Sequence, residues 1–402
     1  MTSLNPRNSC TWMLTTALTL AMSAGLIVGA APAALAKGAS YEVLYSFAGQ
    51  PNDGADPRAN LIEDSAGNLY GTTFYGGTAN DGTVFELAQN GAETVLYSFA
   101  SLADGTNPGG GRLLRDSAGN LYGTTFNGGT AAGEGGTVFK LAPDGTKTTL
   151  YSFCPSDCAD GYEPETGLIA DRKGDLYGTT VFGGTSGWGT VFEVEPDGTE
   201  TVLHSFTGTD GADPQSDLIR IGGNLYGTTY QGGTDDNGTV FELVKGKKGA
   251  WTINVLHSFT GGTDGGNPAG DLTADSAGNV YGTAEIGGTH GSGNVFKLAP
   301  DGTETVLYSF TGGSDGGFPT SSLLMKKGNL YGTTGGGGTS GLGTVFELAS
   351  DGTETVLHSF AGGSDGEFPG SASPLVESKG YLYGTTASGG AGGSGTAFKV
   401  KE

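Results

Sequence analysis

The chain has 402 residues, with 42 acidic side chains against 19 basic ones, a formal charge of −23 and 78 glycines. Glycine at that level without every-third-residue placement excludes a collagen triple helix, and the acidic excess, which repels phosphate backbones, excludes nucleic acid as a partner. One texture of Gly, Thr and short apolar runs continues from about residue 40 to the end, which argues for a single repetitive architecture rather than several domains.

At the amino terminus, Arg7, the apolar run over residues 12–33 and the small-residue triplet Ala34-Leu35-Ala36 have the form of a secretory signal peptide. Residues 1–36 are expected to be removed, leaving 37–402 as one domain; an uncleaved anchor is the alternative. Loss of Arg7 takes the 19 basic residues to 18 against the same 42 acids, a formal charge of −24. No second apolar segment follows, so no membrane span is expected after cleavage. The expectation is a secreted or periplasmic monomer.

From residue 41 the chain repeats. VLYSF or a variant ends at Phe47, Phe99, Phe153, Phe206, Phe259, Phe310 and Phe360, and a DGxxP loop follows, Asp53 to Pro57 in the first copy and Asp365 to Pro369 in the last. A short apolar run such as Asn60-Leu61-Ile62-Glu63 then leads to LYGTT, whose tyrosines fall at Tyr70, Tyr122, Tyr177, Tyr226, Tyr281, Tyr331 and Tyr383, 49 to 55 residues apart. GTVF or a variant comes next, ending at Phe85, Phe139, Phe192, Phe241, Phe296, Phe346 and Phe398. Each unit thus has four predicted strands: a (LIED-like), b (LYGTT), c (GTVFEL) and d (TVLYSF), with Gly, Asn and Asp at turns that need positive backbone angles.

Four antiparallel strands at this period make a blade, and seven units make an all-β, seven-bladed β-propeller. The chain opens on a d strand and closes on a c strand, so the amino-terminal strand is expected to pair with the last blade, close the ring and remove an exposed sheet edge. Alternation along VLYSF places Val, Tyr or His and Phe on one face, Leu and Ser on the other. The glycine inside LYGTT is expected to mark a close approach of neighbouring blades. Cys154 and Cys158, in Cys154-Pro155-Ser156-Asp157-Cys158, are expected to form a small loop disulfide.

LYGTT, GGT and GTVF in tandem over residues 41–399 resemble the GloVer repeats of bacterial choice-of-anchor tandem-repeat proteins. The resemblance implies an exported repeat protein and carries no general activity with it.

The seven copies act as an internal control: a residue type kept in all of them is structural, and a departure is a candidate for function. The b-to-c and d-to-a loops share one face, where unequal loops point to ligand. Just before strand a, nearest the axis, the copies carry Asn60, Arg112, Gly167, Asp217, Asp271, Ser322 and Pro374. The b-to-c loops add Phe74, Tyr75, Phe126, Phe182, Trp188, Tyr230, Glu285 and His290. Asn60, Tyr75, Arg112, Trp188, Asp217, Tyr230 and Asp271 are therefore candidate ligand-binding residues, the aromatics because sugar rings stack on them. Glu285 and His290, with Asp271, are candidate acid and base groups.

Plainer readings stand beside these. His204, His257 and His358 replace Tyr in the VLYSF slot and read as packing residues, His290 reads first as a solvated loop residue, and loop aromatics also cover blade edges. The DGxxP aspartates invite calcium, yet Asp-Gly-Pro turn chemistry accounts for them; no cofactor or metal site is assigned. No nucleophile elbow, phosphate loop or dinucleotide fingerprint is present. The leading expectation is a binding module for glycans or other cell-surface material. A polysaccharide-active hydrolase or lyase and a structural envelope protein are the alternatives.

Overall fold

The computed structural model describes residues 40–129, 135–247, 249–369 and 375–402; the predicted signal peptide and Pro374 lie outside them. Within these residues the seven copies form seven antiparallel sheets of a β-propeller, each ordered a, b, c, d. In the first blade the strands are Ile62–Glu63, Leu69–Thr73, Thr83–Leu87 and Glu93–Ser98. Strand Tyr41–Ser46 pairs antiparallel with Thr396–Lys401 and serves as the outer strand of the seventh blade. The ring closes as predicted.

The repeated apolar positions explain why the blades stack. Leu61, Leu113, Leu168, Leu218, Leu272, Leu323 and Leu375, and the phenylalanines of GTVF and VLYSF, are all buried. They gather into seven apolar clusters, one per blade junction. The two phenylalanines meet edge to face, as Phe47 and Phe85 do with centroids 5.1 Å apart. Such a pair adds roughly 0.5–1.5 kcal/mol beyond the area it buries.

Two expectations are corrected. The LYGTT glycine lies opposite the GTVF phenylalanine of its own blade, Gly71 opposite Phe85. A β-carbon on Gly71 would stand 2.8 Å from Phe85 Cζ and 3.0 Å from Leu61 Cδ2. The close approach is therefore within a blade: the glycine leaves room for the phenyl ring to lie across the sheet. The second correction concerns VLYSF. In every blade the c–d ladder slips by one residue, as between the pairs Val84–Tyr97 and Phe85–Val95. This bulge skips Leu96 and resets the alternation, so Leu96 and Tyr97 pack on the same apolar cluster instead of on opposite faces.

Candidate functional site

The d-to-a and b-to-c loops are tied together in each blade by short pairings, Gly54–Ala55 with Tyr75–Gly76 in the first and single bridges such as Tyr162–Phe182 and Gly266–Ile286 in others. They make one face, as expected. Its recurring anchor is the DGxxP aspartate. Asp53 Oδ2 accepts from Ala48 N at 2.7 Å and from the Tyr45 hydroxyl at 2.9 Å, while Oδ1 accepts from Gly54 N at 2.7 Å. Asp210, Asp264 and Asp365 take His204, His257 and His358 in the tyrosine's place, with Nε2 at 3.0, 3.4 and 3.1 Å. Burial lowers the pKa of all three histidines, and the aspartates act against that shift. These aspartates thus fasten the loop to strand d. Cys154 and Cys158 are joined by a disulfide in the third of these loops, their Cα atoms 4.0 Å apart.

The ring before strand a sits at the axis, where four of its members are bonded to one another, Asn60 Oδ1 is buried without a partner and Arg112 is exposed. Asn60, Asp217, Asp271 and Ser322 are at most 8% exposed. Gly167 N donates to Asp217 Oδ1; Asp217 N donates to Asp271 Oδ1 at 2.7 Å; Asp271 N donates to Ser322 Oγ at 2.7 Å. Each bond joins one blade to the next. Asn60 Nδ2 reaches from the first blade to the fifth, donating to Asp271 Oδ2 at 3.3 Å, and Arg112 N lies 3.4 Å from Asp217 Oδ2. A β-carbon on Gly111 would stand 1.7 Å from Gly167 N, so only glycine fits where these blades converge. Burial raises the pKa of both Asp217 and Asp271; Asp217 adds to the rise of Asp271, and Arg112 opposes both shifts.

The remaining candidates divide. Tyr75 and Trp188 are 37% and 44% exposed on the loop face. Tyr230 is half-buried and donates its hydroxyl to Glu285 Oε2 at 2.9 Å, while burial pushes the Glu285 carboxyl up against the lowering effect of that bond. His290 is exposed, its Nδ1 3.0 Å from Thr289 Oγ1. Among the described residues no hydrogen bond or ion pair joins His290 to Glu285 or Asp271. Each of the three candidate acid–base groups is bonded to other partners: Asp271 to axis residues, Glu285 to Tyr230 and His290 to Thr289.

Two features escaped the sequence reading. The residue before each DGxxP proline, Asp56, Asn107, Glu163, Asp213, Asn267, Phe318 or Phe368, has φ between +52° and +57°. Its N–H donates to a carbonyl of the preceding blade, as Phe318 N does to Ser292 O at 2.8 Å and Phe368 N to Leu342 O at 3.0 Å. Asp and Asn tolerate this left-handed backbone, whereas it strains a bulky side chain. Phe318 and Phe368 occupy it nonetheless, each 44% exposed. The Phe318 ring lies by the glycine-only loop of the sixth blade, where a β-carbon on Gly336 would stand 3.1 Å from Phe318 Cδ2. The signal was the change from DGADP to DGGFP and DGEFP. The other feature is Asn294. Six blades join two buried threonine hydroxyls, as Thr73 and Thr83 at 2.8 Å. The fifth has Ala284 and Asn294, both fully buried, and neither amide atom of Asn294 has a partner.

Six large apolar side chains are exposed among the described residues; Tyr75, Leu102, Trp188, Phe318 and Phe368 lie in loops of this one face, and Val255 on an outer strand. A cavity of about 540 Å³ opens on the opposite face, beside the longer fourth c-to-d hairpin, lined by Lys173, Glu193, Glu195, Lys245 and Trp251 among others. No group of three His, Cys, Asp or Glu side chains among the described residues is arranged to hold a metal ion.

Similarity to known proteins follows the same division between fold and site. No curated protein matches the sequence. Among solved structures, a puromycin hydrolase superposes with a TM-score of 0.53 at 13% identity, over 82% of this chain and 50% of that one; the chain spans about half the length of that relative. A chain of the Mitotic Checkpoint Complex gives 0.52 at 12% identity over 96% and 98%, and an ulvan lyase of polysaccharide lyase family PL25 gives 0.49 at 11% over 88% and 95%. At such identities only the fold is shared. The family model of the Gloeobacter/Verrucomicrobia repeat matches residues 15–173, 133–328 and 313–402. With those matches covering every blade, the chain belongs to the Gloeobacter/Verrucomicrobia repeat family.

Proposed function

We propose that this propeller is a binding module that engages glycans or other cell-surface material through its loop face. One observation carries the reading: five of the six exposed large apolar side chains gather in the loops of that face, two of them on left-handed backbone. Strain held without burial points to recognition, and flat aromatic faces beside Asp, Asn and Glu side chains suit the apolar faces and hydroxyls of sugar rings. The axis residues act as the closure beneath this surface. A glycan array probed with the full chain tests the reading. Retention of a defined set of glycans, lost in Trp188→Ala and Phe318→Asn, supports it; uniform absence of retention contradicts it.

A hydrolase or lyase is the second reading, and it rests on Glu285, whose half-buried carboxyl is bonded to Tyr230. In that case an acidic polysaccharide panel yields new reducing ends or unsaturated uronate absorbance, and Glu285→Gln removes them.

A further inference from the structure

Each blade junction repeats one arrangement. The Tyr or His of a d strand meets the DGxxP aspartate that follows it, and the residue six before the VLYSF phenylalanine of the next blade belongs to the same junction. That residue is Glu93, Lys147, Glu200, Ile253, Glu304, Glu354 and, through ring closure, Tyr41. Two of the seven reveal the task of the position. Lys147 Nζ donates to the carbonyl oxygen of Asp104 and to its Oδ1, the latter at 2.8 Å. Tyr41 stacks on His358 with ring centroids 3.7 Å apart and donates its hydroxyl to the carbonyl oxygen of Asp365. Both are donors to the loop aspartate.

The four glutamates stand in the same place, each with Oε1 buried and without a partner. An ionised carboxylate has nothing to donate there. The groups around them offer no cation: Glu93 faces Asp53 and Tyr45, Glu200 faces Asp160 and Tyr151, Glu304 faces Asp264 with its partner His257, and Glu354 faces Asp315 and Tyr308. Burial first, and the neighbouring aspartate second, push Glu93, Glu200 and Glu304 up to about 7 and Glu354 up to about 8.

We propose that Glu93, Glu200, Glu304 and Glu354 are held as neutral acids that donate to the DGxxP loop at the junction with the preceding blade, so that the ring tightens in acid and loosens above neutrality. Each does by protonation what Lys147 and Tyr41 do permanently. The folded chain holds these protons more tightly than the unfolded one, so their contribution is full below about pH 4.5 and is lost as the pH rises through about 7 to 8. His204, His257 and His358, whose pKa values are lowered, act in the opposite sense in acid. The difference between two variants therefore isolates the glutamates.

The test is the Tm of the full chain against that of E93Q/E200Q/E304Q/E354Q from pH 5 to pH 9, since glutamine keeps a donor and cannot ionise. The expected result is near-equal Tm at pH 5 and a Tm several degrees higher for the variant at pH 8.5. A variant that tracks the wild type, or melts below it at pH 8.5, overturns the proposal. Should the fourfold variant not fold, infrared spectra of the wild type and of E354Q at pH 6.5 decide: a protonated-carboxyl band that weakens in E354Q supports the proposal, and an unchanged or absent band overturns it.

Discussion

The axis ring and the ring of residues before the DGxxP prolines are two places where the seven copies differ from one another, and they have opposite fates. At the axis, Asn60, Asp217, Asp271 and Ser322 are buried and bonded to one another across blades, with Asn60 Oδ1 left without a partner. At the outer ring, Phe318 and Phe368 are exposed on backbone that disfavours them. Departure from a repeat shows where the repeat is free to change. Burial then decides whether the change closes the fold or stays open to solvent. Unlike residues meet there as donor and acceptor, as Asn60 Nδ2 and Asp271 Oδ2 do.

The largest effect that would break this comparison lies at the axis. Gly111→Ala drives a β-carbon into the Gly167 backbone and is expected to cost more than about 4 kcal/mol, read as loss of soluble, cooperatively melting protein. Asp271→Ala leaves Asn60 Nδ2 and Asp217 N–H without their acceptor; a loss of about 2–4 kcal/mol is expected, with glycan retention per folded molecule unchanged. If Asp271→Ala folds normally but no longer binds, the axis is a ligand site after all.

The outer ring gives the converse pattern. Phe318→Asn and Phe368→Asn place a residue tolerant of positive φ where Phe is strained, so thermal stability is expected to hold or rise by up to about 1 kcal/mol. Binding is expected to weaken about tenfold, a change of about 1.4 kcal/mol. A fall in Tm without change in binding would make these two rings mere cover for the loops. The smallest effect belongs to His290→Ala, a solvated tip residue: within about 0.5 kcal/mol in stability and no change in binding by isothermal titration.

Much of the fold was legible because its signals are local and repeated. Motif spacing revealed the blades, the out-of-phase termini revealed the closing strand, and the histidines in the VLYSF slot take the tyrosine's place against the loop aspartates. The bulge at Leu96 was not legible, since a one-residue slip depends on pairing with strand c and leaves VLYSF itself unchanged. Gly71 was seen as a close approach but assigned to the wrong neighbour, because its partner Phe85 is set by cross-strand register. For the candidate site, loop identity was legible and side-chain exposure was not. Tyr75 and Trp188 are exposed as a recognition role needs, whereas Asn60, Asp217 and Asp271 turned inward because their partners come from other blades, up to 211 residues away. Phe318 and Phe368 passed unnoticed because the left-handed angle before the proline is a property of backbone that no residue name displays.

The claim that exposed loop aromatics, and not the polar axis, form the recognition surface is tested most directly by one paired measurement. A glycan array is probed with the full chain and with Trp188→Ala/Phe318→Asn/Phe368→Asn, both checked for equal Tm. The account predicts a defined set of glycans retained by the wild type and lost by the folded variant. Equal retention by both proteins, or retention by neither, would contradict it.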